Sequence, residues 1–259
     1  MQDFIAVLDF GSQYAHLIAK RIRHLGAYTK IFSPSAKENL LQDAKGIVLS
    51  GGPASVYSTD IPEFNSNILN LDLPILGLCY GHQLIAKEFG GTIANTGKGE
   101  FGKAILQQTS DFPLWQNVSF PNQVWMSHQD SVTKCPPDFE VTGVTESGNV
   151  AAMRHRKRRI YTLQFHPEVN DTEQGQKMLD NFINTCEICS KWSMETFIKE
   201  TTERLQQEVG ERKVLMFISG GVDSSVAFAL LDRVLGRDQM LGLYIDNGFM
   251  RKDESTGII

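Results

Sequence analysis

The chain has 259 residues, with 25 Lys and Arg against 30 Asp and Glu for a formal charge of −5. It is long enough for more than one domain, and its acidic balance excludes a surface built mainly for nucleic acid. Neither a basic-then-apolar leader nor an apolar run of bilayer length is present, so small-molecule partners and a cytoplasmic location are expected.

Short β-branched runs alternate with helical patterns from the start of the chain. Strands are predicted at Ile5 to Leu8, Thr29 to Phe32, Gly46 to Leu49 and Pro74 to Leu78, with helices at Tyr14 to Leu25 and Gln83 to Phe89. That order implies an α/β fold, mostly parallel sheet with helices on both faces. Between Gly91 and Leu163 the pattern changes to strand-like pieces at Ala104 to Leu106, Val141 to Thr145, Val150 to Met153 and Ile160 to Leu163, which read as antiparallel additions. A helix from Thr172 to Cys186 closes a first domain over residues 1–190. A connecting helical stretch comes next over 191–212, with Ser193 as the N-cap of Met194 to Val209. A second α/β unit begins at 213 with the strand Val214 to Ile218, the helix Ser224 to Leu235 and the strand Met240 to Ile245. One such unit cannot bury a sheet, so this domain is expected to be cut short at 259.

The four cysteines, Cys79, Cys135, Cys186 and Cys189, are too few and too irregularly spaced for a disulfide framework. One of them stands out. Gly77-Leu78-Cys79-Tyr80-Gly81 has the form of a nucleophile elbow, in which glycines flank a nucleophile on a sharp strand-to-helix turn. The helix N-terminus there stabilises a thiolate. In Gln164-Phe165-His166-Pro167-Glu168, His166 can hold the thiol proton and Glu168 can orient the imidazole. Ser50-Gly51-Gly52-Pro53 offers the N–H of Gly52, which with that of Tyr80 would make an oxyanion hole.

Ser219-Gly220-Gly221-Val222-Asp223-Ser224-Ser225 lies between a strand and a helix and suits a pyrophosphate, with backbone N–H groups, hydroxyls and a helix dipole converging. Asp223 is a candidate magnesium ligand. The Gly-Lys-Ser or Gly-Lys-Thr ending of a Walker A loop is missing. The basic run Arg154 to Arg159 reads as a solvated hairpin turn, and the Cys186/Cys189 pair lacks a second pair to complete a metal site.

The elbow, the Ser-Gly-Gly-Pro run and the His-Pro-Glu ending resemble the triad-type (class I) glutamine amidotransferases over about residues 4 to 186. The resemblance implies glutamine hydrolysis through a thioester on Cys79, with Gln83 helping to bind the substrate. Asp9-Phe10-Gly11-Ser12-Gln13-Tyr14 and Trp125-Met126-Ser127-His128-Gln129-Asp130 narrow it to the GMP synthetase family and imply that Ser127 and Asp130 also hold glutamine. Gln129 stands where that family commonly has glycine, so a change of local backbone is expected. The run Ser219 to Ser225 is similar to the loop of ATP pyrophosphatases, and Tyr244 to Phe249 extends the likeness.

By this resemblance, a complete glutaminase domain is joined to the start of an ATP pyrophosphatase domain. ATP, Mg2+ and XMP would serve the synthetase reaction, with no prosthetic group, and the family's later substrate-binding and dimerisation region is missing. Two rivals differ in class. An amidotransferase feeding another synthetase would lack the loop at Ser219, and a non-catalytic glutamine-binding regulatory module would bind glutamine without releasing ammonia.

Overall fold

The computed structural model describes residues 3–53, 55–58, 62–95, 97, 99–189, 192–246, 248, 249, 255 and 256. Of the sequence expectations, the domain boundary at Ser190 and Lys191 and residue Asn247 of the Tyr244 to Phe249 run lie outside them. The chain forms two compact units, 1–192 and 193–259.

The first unit runs β1 (Phe4–Leu8), α1 (Ala15–His24), β2 (Thr29–Phe32), β3 (Ala44–Leu49), β4 (Ile75–Leu78), α2 (Tyr80–Glu88), β5 (Thr92–Ala94), β6 (Glu100–Gln108), β7 (Asn122–His128), β8 (Ser131–Lys134), β9 (Phe139–Thr145), β10 (Val150–His155), β11 (Ile160–Leu163) and α3 (Gly175–Thr185). Nine of these strands form one sheet in the order β2-β1-β3-β4-β11-β10-β9-β6-β7. The half from β2 to β11 is parallel. The half from β10 to β7 is antiparallel, and β5 pairs with β8 in a separate small sheet.

Period-two alternation divides the side chains of β1 between two cores. Ile5 and Val7 pack with Ile18 and Ile22 of α1 and Met178, Leu179 and Phe182 of α3. Phe4, Ala6 and Leu8 pack with Leu84 and Ile85 of α2 on the opposite face. A strand covered on both faces reads as an unbroken apolar run, as Phe4-Ile5-Ala6-Val7-Leu8 does. Each fully buried Ile or Leu here contributes roughly 1.5–3 kcal/mol.

Strand β7 was not expected from sequence. It alternates inward Asn122, Val124, Met126 and His128 with outward Gln123 and Ser127, and polar residues at two inward positions disguise the period. Helix α2 starts at Tyr80, three residues before the expected Gln83. The basic run also departs from expectation, because its arginines are tied to the domain rather than simply solvated. Arg154 donates to Glu140, Arg158 to the Leu69 carbonyl, and Arg159 to the Thr185 carbonyl and Glu187. The turn itself is held by His155 Nδ1, which accepts from the N–H groups of Lys157 and Arg158.

The second unit runs α4 (Met194–Val209), β12 (Val214–Ile218), α5 (Val222–Leu235) and β13 (Met240–Tyr244). Ser193 caps α4 by accepting from Thr196 N at 3.1 Å. Expected as a connector, this helix belongs to the second unit, where Gln206 donates to the Val234 carbonyl. Strands β12 and β13 are parallel. One face of the pair packs under α5, so closely that a Cβ on Gly242 would lie 2.8 Å from Phe228. The other face leaves Leu215, Phe217, Leu241 and Leu243 exposed.

Candidate active site

Cys79 sits between β4 and α2 with φ 51° and ψ −99°. For a residue with a Cβ this is strained backbone, and such strain persists only where the surroundings impose it. Here they do. The Cys79 N–H is fixed to the Leu163 carbonyl at 2.8 Å, and α2 begins at once, with Gly81 so close to β3 that a Cβ would lie 2.5 Å from the Leu49 carbonyl oxygen. The thiol is buried and lies 3.5 Å from the Ser127 carbonyl.

His166 lies beside Cys79, since a Cβ on Gly51 would lie 3.3 Å from its ring and 3.8 Å from the Cys79 Cβ, and its Nδ1 is 2.7 Å from Glu168 Oε1. Burial alone would lower the basicity of the imidazole. The Glu168 charge and the bonds with Cys79 and Glu168 outweigh it and hold His166 well above its usual range. The turn carrying the pair is anchored to the β7 edge of the sheet. His166 N donates to the Trp125 carbonyl, Thr172 Oγ1 donates to the His166 carbonyl, and Trp125 N donates to that same hydroxyl. Arg21 of α1 donates to the Glu168 carbonyl, and the Tyr14 ring packs on His166 with centroids 4.7 Å apart.

Two cavities meet at Cys79. The larger, about 530 Å³, is lined by Gly52, Cys79, Tyr80, Gln83, Ser127 and Asp130 among others, so the structure brings the residues expected for the oxyanion hole and the substrate to one place. Gly52 abuts Tyr80, since a Cβ on it would lie 3.2 Å from the Tyr80 ring. His166 lines only the smaller cavity, about 300 Å³, with Tyr14 and Gly51. Gln83 donates through Nε2 to the Asp130 carbonyl at 2.7 Å and to Gln164 Oε1 at 3.1 Å. Both amide hydrogens are engaged, which leaves Oε1, an acceptor, for any ligand. The Asp130 carboxylate accepts from Ser55 at 2.5 Å. The backbone change expected at Gln129 does not occur in the form of a left-handed residue, because among the described non-glycine residues positive φ is confined to Cys79, Asn117 and Glu187.

Sequence reasoning missed Tyr14, Arg21, Ser55, His128 and Thr172. Arg21 and Ser55 have partners distant in the chain, 147 positions for Arg21 and Glu168 and 75 for Ser55 and Asp130, and no local pattern signals that.

The loop after β12 is shorter than expected. Helix α5 starts at Val222, so Val222, Asp223, Ser224 and Ser225 form its first turn and the turn proper is Ser219, Gly220 and Gly221. Gly220 has φ 81°, a conformation open to glycine. The hydroxyls knit the turn together. Ser219 and Ser224 are 3.1 Å apart, and Ser224 and Ser225 both donate to the Gly221 carbonyl at 3.0 Å. The N–H groups of Val222, Asp223 and Ser224 precede the first bond of the helix, which Ser225 N makes to the Gly221 carbonyl, and the loop is largely open to solvent, which fits a phosphate group. Among the described residues no cluster of three or more His, Cys, Asp or Glu could hold a metal ion. A single carboxylate, Asp223, still fits magnesium, which is bound by one or two carboxylates plus substrate phosphates.

The glutamine amidotransferase class-I family model matches residues 6–186, which contain both the elbow and the His166–Glu168 turn. The chain belongs to the class-I glutamine amidotransferases. A second family, described as NAD synthase, matches residues 193–257. A Staphylococcus aureus protein named GMP synthase [glutamine-hydrolyzing] is 45% identical over 261 residues, covering 100% of this chain and 50% of its own length. A Leptospira interrogans relative is 46% identical over 257 residues, covering 98% of this chain and 43% of its own. The amidotransferase chain therefore spans about half the length of the curated relatives it matches. Among solved structures, a Thermotoga maritima glutamine amidotransferase is 18% identical with a TM-score of 0.53, covering 91% of this chain and 99% of that one, and shares the fold. A solved Thermoplasma acidophilum protein, named as a component of a GMP synthase, is 28% identical with a TM-score of 0.63, covering 78% of this chain and 98% of that one.

Proposed function

We propose that the first unit hydrolyses glutamine to glutamate and ammonia, and that it does so for ATP-dependent amination of XMP to GMP. The observation that carries the first part is the strained Cys79 beside an imidazole that Glu168 holds at 2.7 Å, the two lining one cavity. The Cys79 thiolate attacks the side-chain amide carbon of glutamine, and the developing oxyanion is met by the N–H groups of Gly52 and Tyr80. His166, carrying the proton, gives it to the leaving nitrogen, which departs as ammonia and leaves a thioester. His166 then takes a proton from water as it attacks the thioester, and glutamate leaves with Cys79 restored. Glu168 orients the imidazole and stabilises its charge. Ser127, Asp130 and the Oε1 of Gln83 hold the substrate.

The synthetase part of the reading rests on the match of 193–257 and on the names of the relatives. In it Ser219, Gly220, Gly221, Val222, Asp223, Ser224 and Ser225 would hold the phosphates of ATP, and Asp223 would be the carboxylate that holds Mg2+, an ion that neutralises phosphate charge when bound. XMP is adenylated with loss of pyrophosphate, and ammonia displaces AMP. The relatives' remaining length would supply the rest of that site and the dimerisation region. A cytoplasmic location accompanies this reading. Among the described residues no helix is long and apolar enough to cross a membrane. The loop at Ser219 and the relatives' printed names disfavour an amidotransferase serving a different synthetase, and the intact Cys79, His166 and Glu168 set disfavours a non-catalytic glutamine-binding module.

The test is incubation with glutamine and with a glutamine-mimicking electrophile. Ammonia release, lost in Cys79→Ala and nearly lost in His166→Ala, and labelling of Cys79 alone are expected; no ammonia from the folded wild-type chain overturns the reading. GMP formation is assayed with ATP, Mg2+ and XMP after the relatives' remaining length is supplied, and its failure overturns the synthetase part.

A further inference from the structure

The larger cavity carries on its rim an apolar ring that the proposed chemistry does not use. Phe101 of β6 lines this cavity and is 72% exposed. Scattered apolar side chains are ordinary on a surface. A phenyl ring beside a nucleophile, in a cavity sized for a small molecule, has a ligand within reach.

Strand register says which part of a ligand the ring meets. Phe101 is directly opposite Ser127 of β7, and such pairs project to one face with Cβ atoms about 4.5–5.5 Å apart. Ser127 lines the same cavity, its carbonyl lies 3.5 Å from the Cys79 thiol, and Asp130 follows in the turn after β7. A glutamine with its side-chain amide at Cys79 and its amino-acid end at Asp130 therefore runs its methylenes past Ser127, on the side where Phe101 stands. The ring leans toward that turn: a Cβ on Gly99 would lie 3.3 Å from Phe101 Cε2 and 3.0 Å from the Gln129 Cα. The strand beneath it is held, because the neighbouring Glu100 accepts from Ser147 at 2.5 Å.

Much of the remaining lining suits polar ends rather than methylenes. Ser55, Gln83, Asn95, Gln129 and Asp130 are polar. Tyr80 is 3% exposed, its ring set against Phe10 with centroids 5.1 Å apart. We propose that Phe101 is a specificity-determining residue whose ring closes over the Cβ and Cγ methylenes of bound glutamine, so that the site measures the chain length between the amide and the amino-acid end. The inference rests on reading this cavity as the glutamine site.

The test measures ammonia release by the whole chain as a function of glutamine, with labelling of Cys79. Phe101→Ala and Phe101→Leu alter an exposed side chain, so both should keep the wild-type midpoint in urea unfolding. Phe101→Ala should raise KM for glutamine about tenfold, the scale of one methylene's apolar contact, with kcat within about threefold, and Phe101→Leu should recover part of the loss. The glutamine-mimicking electrophile, below saturation, should label Cys79 about tenfold more slowly in Phe101→Ala. Iodoacetamide, which has no glutamyl chain, should label it no more slowly than in the wild type. An unchanged KM in Phe101→Ala, no recovery in Phe101→Leu, equal slowing by both reagents, or a lowered midpoint in both variants each overturns the inference alone. A wild-type chain that neither releases ammonia nor is labelled at Cys79 overturns the glutamine reading and this inference together.

Discussion

Gly77 and Gly81 meet across the elbow: a Cβ on Gly77 would lie 2.6 Å from the Gly81 carbonyl oxygen. That separation is shorter than real Cβ contacts allow, and the obstacle is backbone, which cannot rotate away. The strand entering the turn and the helix leaving it are thus pressed together. Their closeness is what imposes φ 51° on Cys79.

Gly77→Ala and Gly81→Ala should each destabilise the first unit by about 1–3 kcal/mol or more, the usual cost of overpacking. Urea unfolding measures the loss, and labelling by the glutamine-mimicking electrophile should fall in whatever remains folded. Wild-type stability in both variants would show that the elbow is looser than its geometry.

The cysteines should differ in reactivity toward a small general thiol reagent. Burial pushes Cys186 up to about 12 and raises Cys135, whereas Cys189 is exposed. Cys189 should react readily and Cys186 only on unfolding. Peptide mapping by mass spectrometry reads this directly, and early modification of Cys186 would contradict its buried place against Gly46 and Phe182.

His166 makes stability depend on pH in a defined direction. Its folded-state basicity is raised well above 6.5 despite burial, through Glu168 and Cys79, so the native state holds the proton more tightly than the unfolded chain. The resulting stabilisation is complete below about 6.5 and is lost as pH rises through the folded-state value. Glu168→Gln removes the charge that outweighs burial, and its unfolding free energy should decline less between pH 7 and 10. Equal slopes in the two proteins would remove Glu168 as the cause.

In the second unit, Gly220 has φ 81° in the turn before α5. Gly220→Ala should weaken binding of inorganic pyrophosphate about tenfold, through strain of about 1–2 kcal/mol, while leaving ammonia release by the first unit unchanged. Calorimetric titration gives the affinity. Identical binding in both proteins would detach the loop from any role with phosphate.

Much of the fold was legible because the relevant residues lie in continuous local patterns. Phe4 to Leu8 is an unbroken apolar run, Ile160 to Leu163 is a β-rich run with Thr162 its one polar member, and Gly-x-Cys-x-Gly and His-Pro-Glu are compact. Strand β7 was not legible, because Asn122 and His128 occupy inward positions where an apolar residue would mark the period. The ends of α2 and α5 were misplaced for a related reason: glycine and serine read as loop, yet Gly81 enters a helix because space beside Leu49 demands it. Likewise the bonds from Arg21 to Glu168, from Ser55 to Asp130 and from Trp125 to Thr172 join residues that only the fold brings together.

The bare face of β12 and β13 bears on how this chain behaves in bulk. Leu215, Phe217, Leu241 and Leu243 are 43–64% exposed on one side of the ribbon, which among the described residues has two strands and so two unpaired edges. At high concentration it is a ready template for self-association, so colloidal behaviour, read by light scattering against dilution, should be governed by the 67 residues of the second unit. Replacing Phe217 and Leu241 with lysine should raise the concentration at which the protein stays monodisperse, without touching the chemistry at Cys79.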